Sequence, residues 1–271
     1  MKIALIGDGK MAKAIAPRAV ERGHVITVTL GAKDNVEGTG ISTERLGNPD
    51  VAIEFTEPSA ARNNVLACAR AGLPVVVGTT GWYDQLDMVR NEVTKLGGSM
   101  FWAPNFSLGV AVLSAAIEAA SRALHGVSGF DVHMVETHHA AKKDRPSGTA
   151  AALASIASHN LGNDIPITSI RTGQVPGTHE LVIDAAFEQL RLVHEARDRR
   201  VFAEGAISAA EWLQGRKGVF TMSDLLQRAE EVHRRERPRI RIGWTPSSRP
   251  TTRHSLASGA RRRISTNSSP R

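Results

Sequence analysis

Over its first hundred residues the chain alternates short, continuous apolar runs with longer stretches of helical periodicity. Lys2 to Ile6 (KIALI) is an apolar run that ends in GDGKMAKAIAPRAVERG, which predicts a strand, a tight glycine turn and a helix stopped by Gly23. His24 to Leu30 (HVITVTL) is β-branched and reads as a second strand, and Asp50 to Phe55 (DVAIEF) as a third. TEPSAA then turns into a helix over ARNNVLACARAG, and Leu73 to Val77 (LPVVV) forms a fourth strand ending in the turn GTTGW. The helix DQLDMVRNEVTKLG, the strand SMFWA and the turn PNFSLG follow. Strands and helices alternating at these lengths predict an α/β fold with a doubly wound parallel sheet of the Rossmann type.

From about Ser107 the pattern changes. LGVAVLSAAIEAASRAL predicts a long apolar helix, and DVHMVET, ITSIRTG, HELVIDAA and EQLRLVHEA predict a run of strands. That points to a second, α+β domain with a mainly antiparallel sheet. Residues 199–206 open the helix ISAAEWLQG, which is expected to return the chain to the first domain. The expected units are therefore 1–106, completed by about 205–229, then 107–204, and a tail over 230–271. No internal repeat is evident.

Charge sharpens the last boundary. The 271-residue chain has a formal net charge of +7, but residues 230–271 hold eleven arginines against three glutamates, so the preceding body is near neutral. Ser, Thr, Pro and Arg dominate the tail, which has too little apolar surface to offset the entropy of ordering and is expected to be disordered. No run of about 18 apolar residues suggests a membrane span, and the N-terminus lacks the parts of a signal peptide. The single cysteine, Cys68, cannot form an internal disulfide; a reducing cytoplasm and a packing role fit it better than catalysis.

Two segments carry the chemistry. Gly7, Asp8, Gly9, Lys10, Met11 and Ala12 form G-x-G-x-x-A directly after a strand and at the start of a helix. The first glycine permits the tight turn, the second lets the backbone approach a pyrophosphate, and the small third residue lets helix and strand close together. A nicotinamide dinucleotide is the expected ligand. The second strand ends Gly31, Ala32, Lys33, Asp34, with no acid at the usual position. Lys33 can meet a 2′-phosphate with help from Lys10, and Asp34 can serve a ribose, so NADPH is favoured with NADH accepted.

The second segment is Glu136 to Ala150, ETHHAAKKDRPSGTA. His138, His139, Lys142 and Lys143 can donate protons or hold anions. Pro146, Ser147, Gly148 and Thr149 lead into an Ala-rich run of strong helix propensity, with Ser147 as the expected cap. The free N–H groups of such a helix start favour an anion. Proton donors beside an anion cradle suggest a small acidic substrate. Zinc at His133 and Glu136 is the weaker reading, because two nearby lysines repel a cation. His179 and His194 read as structural or interface residues.

HHxxKxD followed by PSGTA resembles the signature of the 4-hydroxy-tetrahydrodipicolinate (dihydrodipicolinate) reductase family of lysine and diaminopimelate biosynthesis. EFTEP, GTTGW, APNFS, VPGTHE, VFAEGAISAAEWL and GVFTMSDLL match it in order, over residues 1 to about 226. The resemblance implies NAD(P)H-dependent reduction of a cyclic imine dicarboxylate in a cytoplasmic homotetramer. It gives His138 as proton donor, Lys142 as its support, and His139, Gly148 and Thr149 as carboxylate ligands. Gly78, Thr79 and Thr80 would join Ala103, Pro104, Asn105 and Phe106 in contacting the nicotinamide half. Residues 107–204 would bind substrate and build the oligomer. Lys143 and Arg145 depart from the family pattern, as does the tail, for which a shifted reading frame is one account. Another NAD(P)-dependent dehydrogenase of a small acid is the alternative, although Cys68 is misplaced for a catalytic thiol. A nucleotide-sensing protein that binds nucleic acid through the tail is weaker still, with Trp244 the only aromatic there.

Overall fold

The computed structural model describes residues 1–227, so the basic tail expected over 230–271 lies outside the described residues. β1 (Lys2–Ile6), α1 (Lys10–Glu21), β2 (Val25–Leu30), β3 (Val51–Glu54), α2 (Pro58–Arg70), β4 (Val75–Val77), α3 (Leu86–Lys95) and β5 (Ser99–Trp102) follow the expected alternation. α4 (Leu108–Ala123), β6 (Phe130–His138), α5 (Gly148–Leu161), β7 (Ile167–Arg171), β8 (Thr178–Ala185) and β9 (Glu188–Glu195) make the second unit. α6 (Arg200–Leu213) and β10 (Gly218–Phe220) then return to the first sheet.

That first sheet has six strands in the order β10-β5-β4-β3-β1-β2, all pairs parallel. Its central strands are almost wholly apolar because both faces are covered, with Glu54 at the end of β3 the buried exception. Ala4, Ile6, Ala52, Val75 and Val77 pack towards α2 and α3, and Ile3, Leu5, Val51, Ile53 and Val76 towards α1 and α6. β10 is an unexpected sixth strand. Three residues are too few to show a period, and it forms only as an edge strand beside β5. α6 is pinned to α1 by Arg18–Glu204, by Arg22 to Glu204 and Glu211, and by His24 to Glu211. The strand order reverses between β1 and β3, and the crevice outside the carboxyl ends of the strands at such a switch point is where ligands bind.

The second sheet has the order β7-β6-β8-β9. β6–β8 and β8–β9 are antiparallel as expected, but β6–β7 is parallel because α5 is a crossover between them. Met134, Leu181 and Ile183 pack its inner face against α4 and α5. The opposite face carries half-exposed Ile170 and Val193.

Candidate active site

The glycine turn sits at the carboxyl end of β1, beside β3. Gly7 has φ +107°, and a Cβ there would lie 2.1 Å from the Phe55 carbonyl oxygen, so only glycine closes this turn. Gly9 is the N-cap of α1 without a side-chain bond, and no atom lies within 4 Å of where its Cβ would be. The first N–H groups of α1 therefore face an open space that fits the pyrophosphate of a dinucleotide. Lys10 and Lys33 are exposed, Ala12 is buried, and Met11 packs at the edge of the core.

The other predicted turns line the same edge of the sheet, with a different division of labour. Gly78 is small because the Phe55 ring lies where its Cβ would be, at 2.0 Å. Thr79 is buried and committed to structure: its hydroxyl accepts from Thr56 N at 2.7 Å, and its carbonyl accepts from Trp82 Nε1 at 2.8 Å. Phe106 is a core residue stacked near Phe55 and Phe101, with Gly205 of α6 against its carbonyl. The side chains of Thr79 and Phe106 are thus taken up by packing, which leaves Thr80, Pro104 and Asn105 as the accessible polar or exposed positions of these turns.

Asn105 joins the two units. Its Oδ1 accepts from Ser107 N at 2.8 Å, and its Nδ2 donates to Thr149 Oγ1 at 3.2 Å, at the start of α5. Ser147 caps that helix by accepting from Ala150 N at 3.1 Å. The position above Gly148 is open, with no atom within 4 Å of a Cβ built there.

His138 is the last residue of β6 and is buried, whereas His139 is partly exposed, as alternation along a strand requires. His138 Nδ1 bonds to Glu136 Oε2. Glu136 is fully buried, and its Oε1 accepts from Arg171 Nη2 at 2.6 Å and from Ser147 N at 3.3 Å. Burial alone would raise this carboxyl, but the bonds from Arg171, Ser169 and His138 hold it at about 2. Burial lowers the His138 imidazole below its ordinary value, the Glu136 carboxylate pulls it back up, and the charges of Lys142 and Arg171 lower it again. The His138 Nε2 faces Gly177, where a Cβ would lie at 3.0 Å.

Lys142 Nζ pairs with Asp144 Oδ1 at 2.8 Å, and Asp144 O accepts from Arg171 Nη2 at 2.6 Å. One buried guanidinium thereby holds both Glu136 and the loop that carries Lys142. Lys143 and Arg145 are exposed. His179, expected as a structural or interface residue, borders the site. It lies edge-on to His138 with ring centroids 5.1 Å apart, its Nε2 is 3.2 Å from Ser147 Oγ, and burial drives it down to about 4. His194 Nε2 is 3.2 Å from Ser107 Oγ, the cap of α4.

The sequence reading missed Glu136 as the partner of His138, and Arg171, Gly177 and His179 as members of the site. Their only signal was the order of charged and small residues within ETHH, IRTG and VPGTHE, which does not say which charges are buried. Among the described residues no group of three or more His, Cys, Asp or Glu is placed to hold a metal ion, and no helix is long and apolar enough to cross a membrane.

An open glycine turn after β1, and a carboxylate-held imidazole beside the start of α5 that Asn105 ties to the turn after β5, fit an NAD(P)H-dependent oxidoreductase. The chain belongs to the dihydrodipicolinate reductase family: the model of that family's N-terminus matches residues 1–106 and that of its C-terminus residues 109–226. It is 36% identical over 238 residues to the 4-hydroxy-tetrahydrodipicolinate reductase of Christiangramia forsetii, covering 83% of this chain and 98% of that one. To the reductase of the same name from Natronomonas pharaonis it is 35% identical over 239 residues, covering 80% and 96%. The fold is that of dipicolinate-bound dihydrodipicolinate reductase from Paenisporosarcina sp. TG-14, with a TM-score of 0.69 at 18% identity over 82% of this chain and 97% of that one.

Proposed function

We propose that the chain reduces the cyclic imine dicarboxylate of 4-hydroxy-tetrahydrodipicolinate reductases to tetrahydrodipicolinate, in the cytoplasm and as a homotetramer. Residues 1–106, completed by about 205–229, hold NADPH or NADH, and residues 107–204 hold the substrate and the subunit contacts. A reduced nicotinamide, when bound against the Gly78–Thr80 and Ala103–Phe106 turns, supplies a hydride. The residues that would hold it are those of the Gly7–Ala12 turn with Lys33.

His138 does the complementary work. Once the 4-hydroxyl has left as water to give the conjugated ring, hydride arrival at one ring carbon pushes electron density onto the conjugated neighbour, which must then gain a proton. Glu136 fixes Nδ1 as the protonated nitrogen and leaves Nε2–H as the donor. The same carboxylate stabilises the imidazolium before transfer, as a general acid requires. Lys142 adds positive field beside the reacting ring. His139 and the N–H groups of Gly148 and Thr149 at the start of α5 bind the carboxylates. The half-exposed apolar residues Ile170 and Val193 on the outer face of the second sheet suit burial between subunits.

The observation that carries this reading is the Glu136–His138 pair set next to the open N-terminus of α5, which Asn105 ties to the cofactor edge. The test is a nicotinamide oxidation assay on freshly generated substrate, comparing wild type with His138→Ala and Lys142→Ala. Both variants are expected to lose most turnover while keeping cofactor affinity. Rates near wild type in either would remove that residue from the mechanism.

A further inference from the structure

The end of β2 poses a question that the reductase reading leaves open. In dinucleotide-binding folds an acidic side chain there accepts from the adenosine ribose 2′-hydroxyl, and a cation there accommodates a 2′-phosphate. This chain has Gly31 and Ala32 at that place, then Lys33 and Asp34, which lie side by side and exposed on one short 3-10 helix. Adjacent opposite charges in solvent offset one another, so neither decides the preference.

Gly31 is not required by its own backbone. Its φ of −82° and ψ of 167° are ordinary extended values that any residue adopts. What it lacks is room. A Cβ at position 31 would lie 3.0 Å from Asp8 Oδ2, 3.4 Å from Asp8 Cγ and 4.0 Å from Asp8 Cβ. The carboxylate of Asp8, from the glycine turn after β1, therefore fills the volume that a strand-end acid would otherwise occupy. It stands on the β2 side of the turn. The pyrophosphate space over Gly9 stays clear, with no atom within 4 Å.

We infer that Asp8 is the residue that sets the cofactor preference, accepting a hydrogen bond from the ribose 2′-hydroxyl of NADH and repelling the 2′-phosphate of NADPH. The acid stands on the first turn instead of the second strand, and glycine at 31 leaves its carboxylate undisturbed there. This deepens the reductase reading and rests on it for the presence of a dinucleotide in the turn. It reverses the expectation, drawn from Lys33, that NADPH is favoured.

The experiment measures dissociation constants for NADH and NADPH by calorimetry at low salt, without substrate. Wild type, Asp8→Asn and the transposed double variant Asp8→Gly/Gly31→Asp are compared. Asp8→Asn keeps the shape of an exposed side chain and removes its charge, so folding is not at stake. Wild type is expected to bind NADH more tightly by about tenfold or more, the worth of one charge-assisted hydrogen bond and one like-charge contact. Asp8→Asn moves the ratio about tenfold towards NADPH. The transposed variant regains the preference for NADH, because glycine at 8 frees the space for an acid at 31. A wild type that prefers NADPH, or a ratio unmoved by Asp8→Asn, overturns the inference and leaves the reductase reading standing. Binding of neither nucleotide overturns both.

Discussion

Replacing Glu136 by glutamine tests whether the buried His138 imidazole is made into an acid by its carboxylate partner, as the proposed mechanism requires. Glu136 is wholly buried and serves four donors, His138, Arg171, Ser147 and Ser169. Glutamine keeps the volume and one acceptor but removes the charge. Two consequences follow, with separate magnitudes. Arg171, whose side chain is 2% exposed, loses its counter-ion, and leaving one buried charge unpaired costs about 3–5 kcal/mol of stability. His138 loses the group that raises its pKa, while burial and the charges of Lys142 and Arg171, all of which lower it, remain. The fraction of protonated donor at neutral pH therefore falls, and a misaligned or absent general acid costs about 10²–10⁴ in rate.

The assay is kcat against pH, together with urea unfolding. The alkaline limb of the profile reports the protonated acid and should move to lower pH in Glu136→Gln, with kcat down about a hundredfold at neutral pH. The double variant Glu136→Gln/Arg171→Met separates the effects. Removing both buried charges should restore most of the stability, because a buried pair replaced by apolar groups is often close to neutral. The rate should stay low. A folded Glu136→Gln enzyme with an unshifted profile and near wild-type kcat would refute the role given to this carboxylate, and recovery of rate along with stability in the double variant would reduce it to a structural group.

Two further outcomes follow from the neighbours of the pair. His179 is held neutral by burial, down to about 4 from the usual 6.5, so between those values the unfolded chain binds the extra proton. Stability is then full above about pH 6.5 and declines by up to about 3 kcal/mol as pH falls to about 4, a slope that His179→Gln should flatten in denaturant titrations across that window. An unchanged slope in that variant would place the acid sensitivity elsewhere. Asn105→Ala removes the bond to Thr149, worth about 1 kcal/mol, and should raise KM for the dicarboxylate about fivefold while leaving the protein folded. A KM unmoved by that change would mean the contact does not position the helix.

The alternation of the first unit was legible because strands covered on both faces read as largely apolar runs, which KIALI, DVAIEF and LPVVV supply despite the buried Glu54 in the second. β10 was not, since an edge strand of three residues owes its form to β5 and carries no pattern of its own. The parallel pair β6–β7 was hidden for another reason: periodicity reports which face is buried and says nothing of which strand lies alongside. In the proposed site, His138 and Lys142 are suggested by residue type and resemblance. Glu136 and Arg171 could not be read as buried, because a lone charge in a strand signals solvent and only the pair makes burial tolerable. The packing of Gly78 and Phe106 against Phe55 was not legible either, since a turn motif does not say what lies behind it.

His179 and His194 show why the site needs more than its reacting groups. They face each other across β8 and β9, and each reaches a serine that caps a helix, Ser147 for α5 and Ser107 for α4. Ser107 N in turn donates to Asn105, and Asn105 donates to Thr149, two residues beyond Ser147. The bonds and the strand pairing form a closed circuit through both units, so neither helix start can shift without breaking bonds at two places. Each serine hydroxyl accepts from the backbone of its own helix and keeps its proton and a second lone pair for the histidine, while burial holds both imidazoles below their ordinary value. Both Nδ1 atoms are buried without a partner among the described residues, a cost of about 1–3 kcal/mol each that simple packing with an apolar residue would avoid. A neutral ring against His138 offers what an apolar one cannot: it fixes the start of α5 without placing a second cation 5.1 Å from the proton donor of the proposed mechanism.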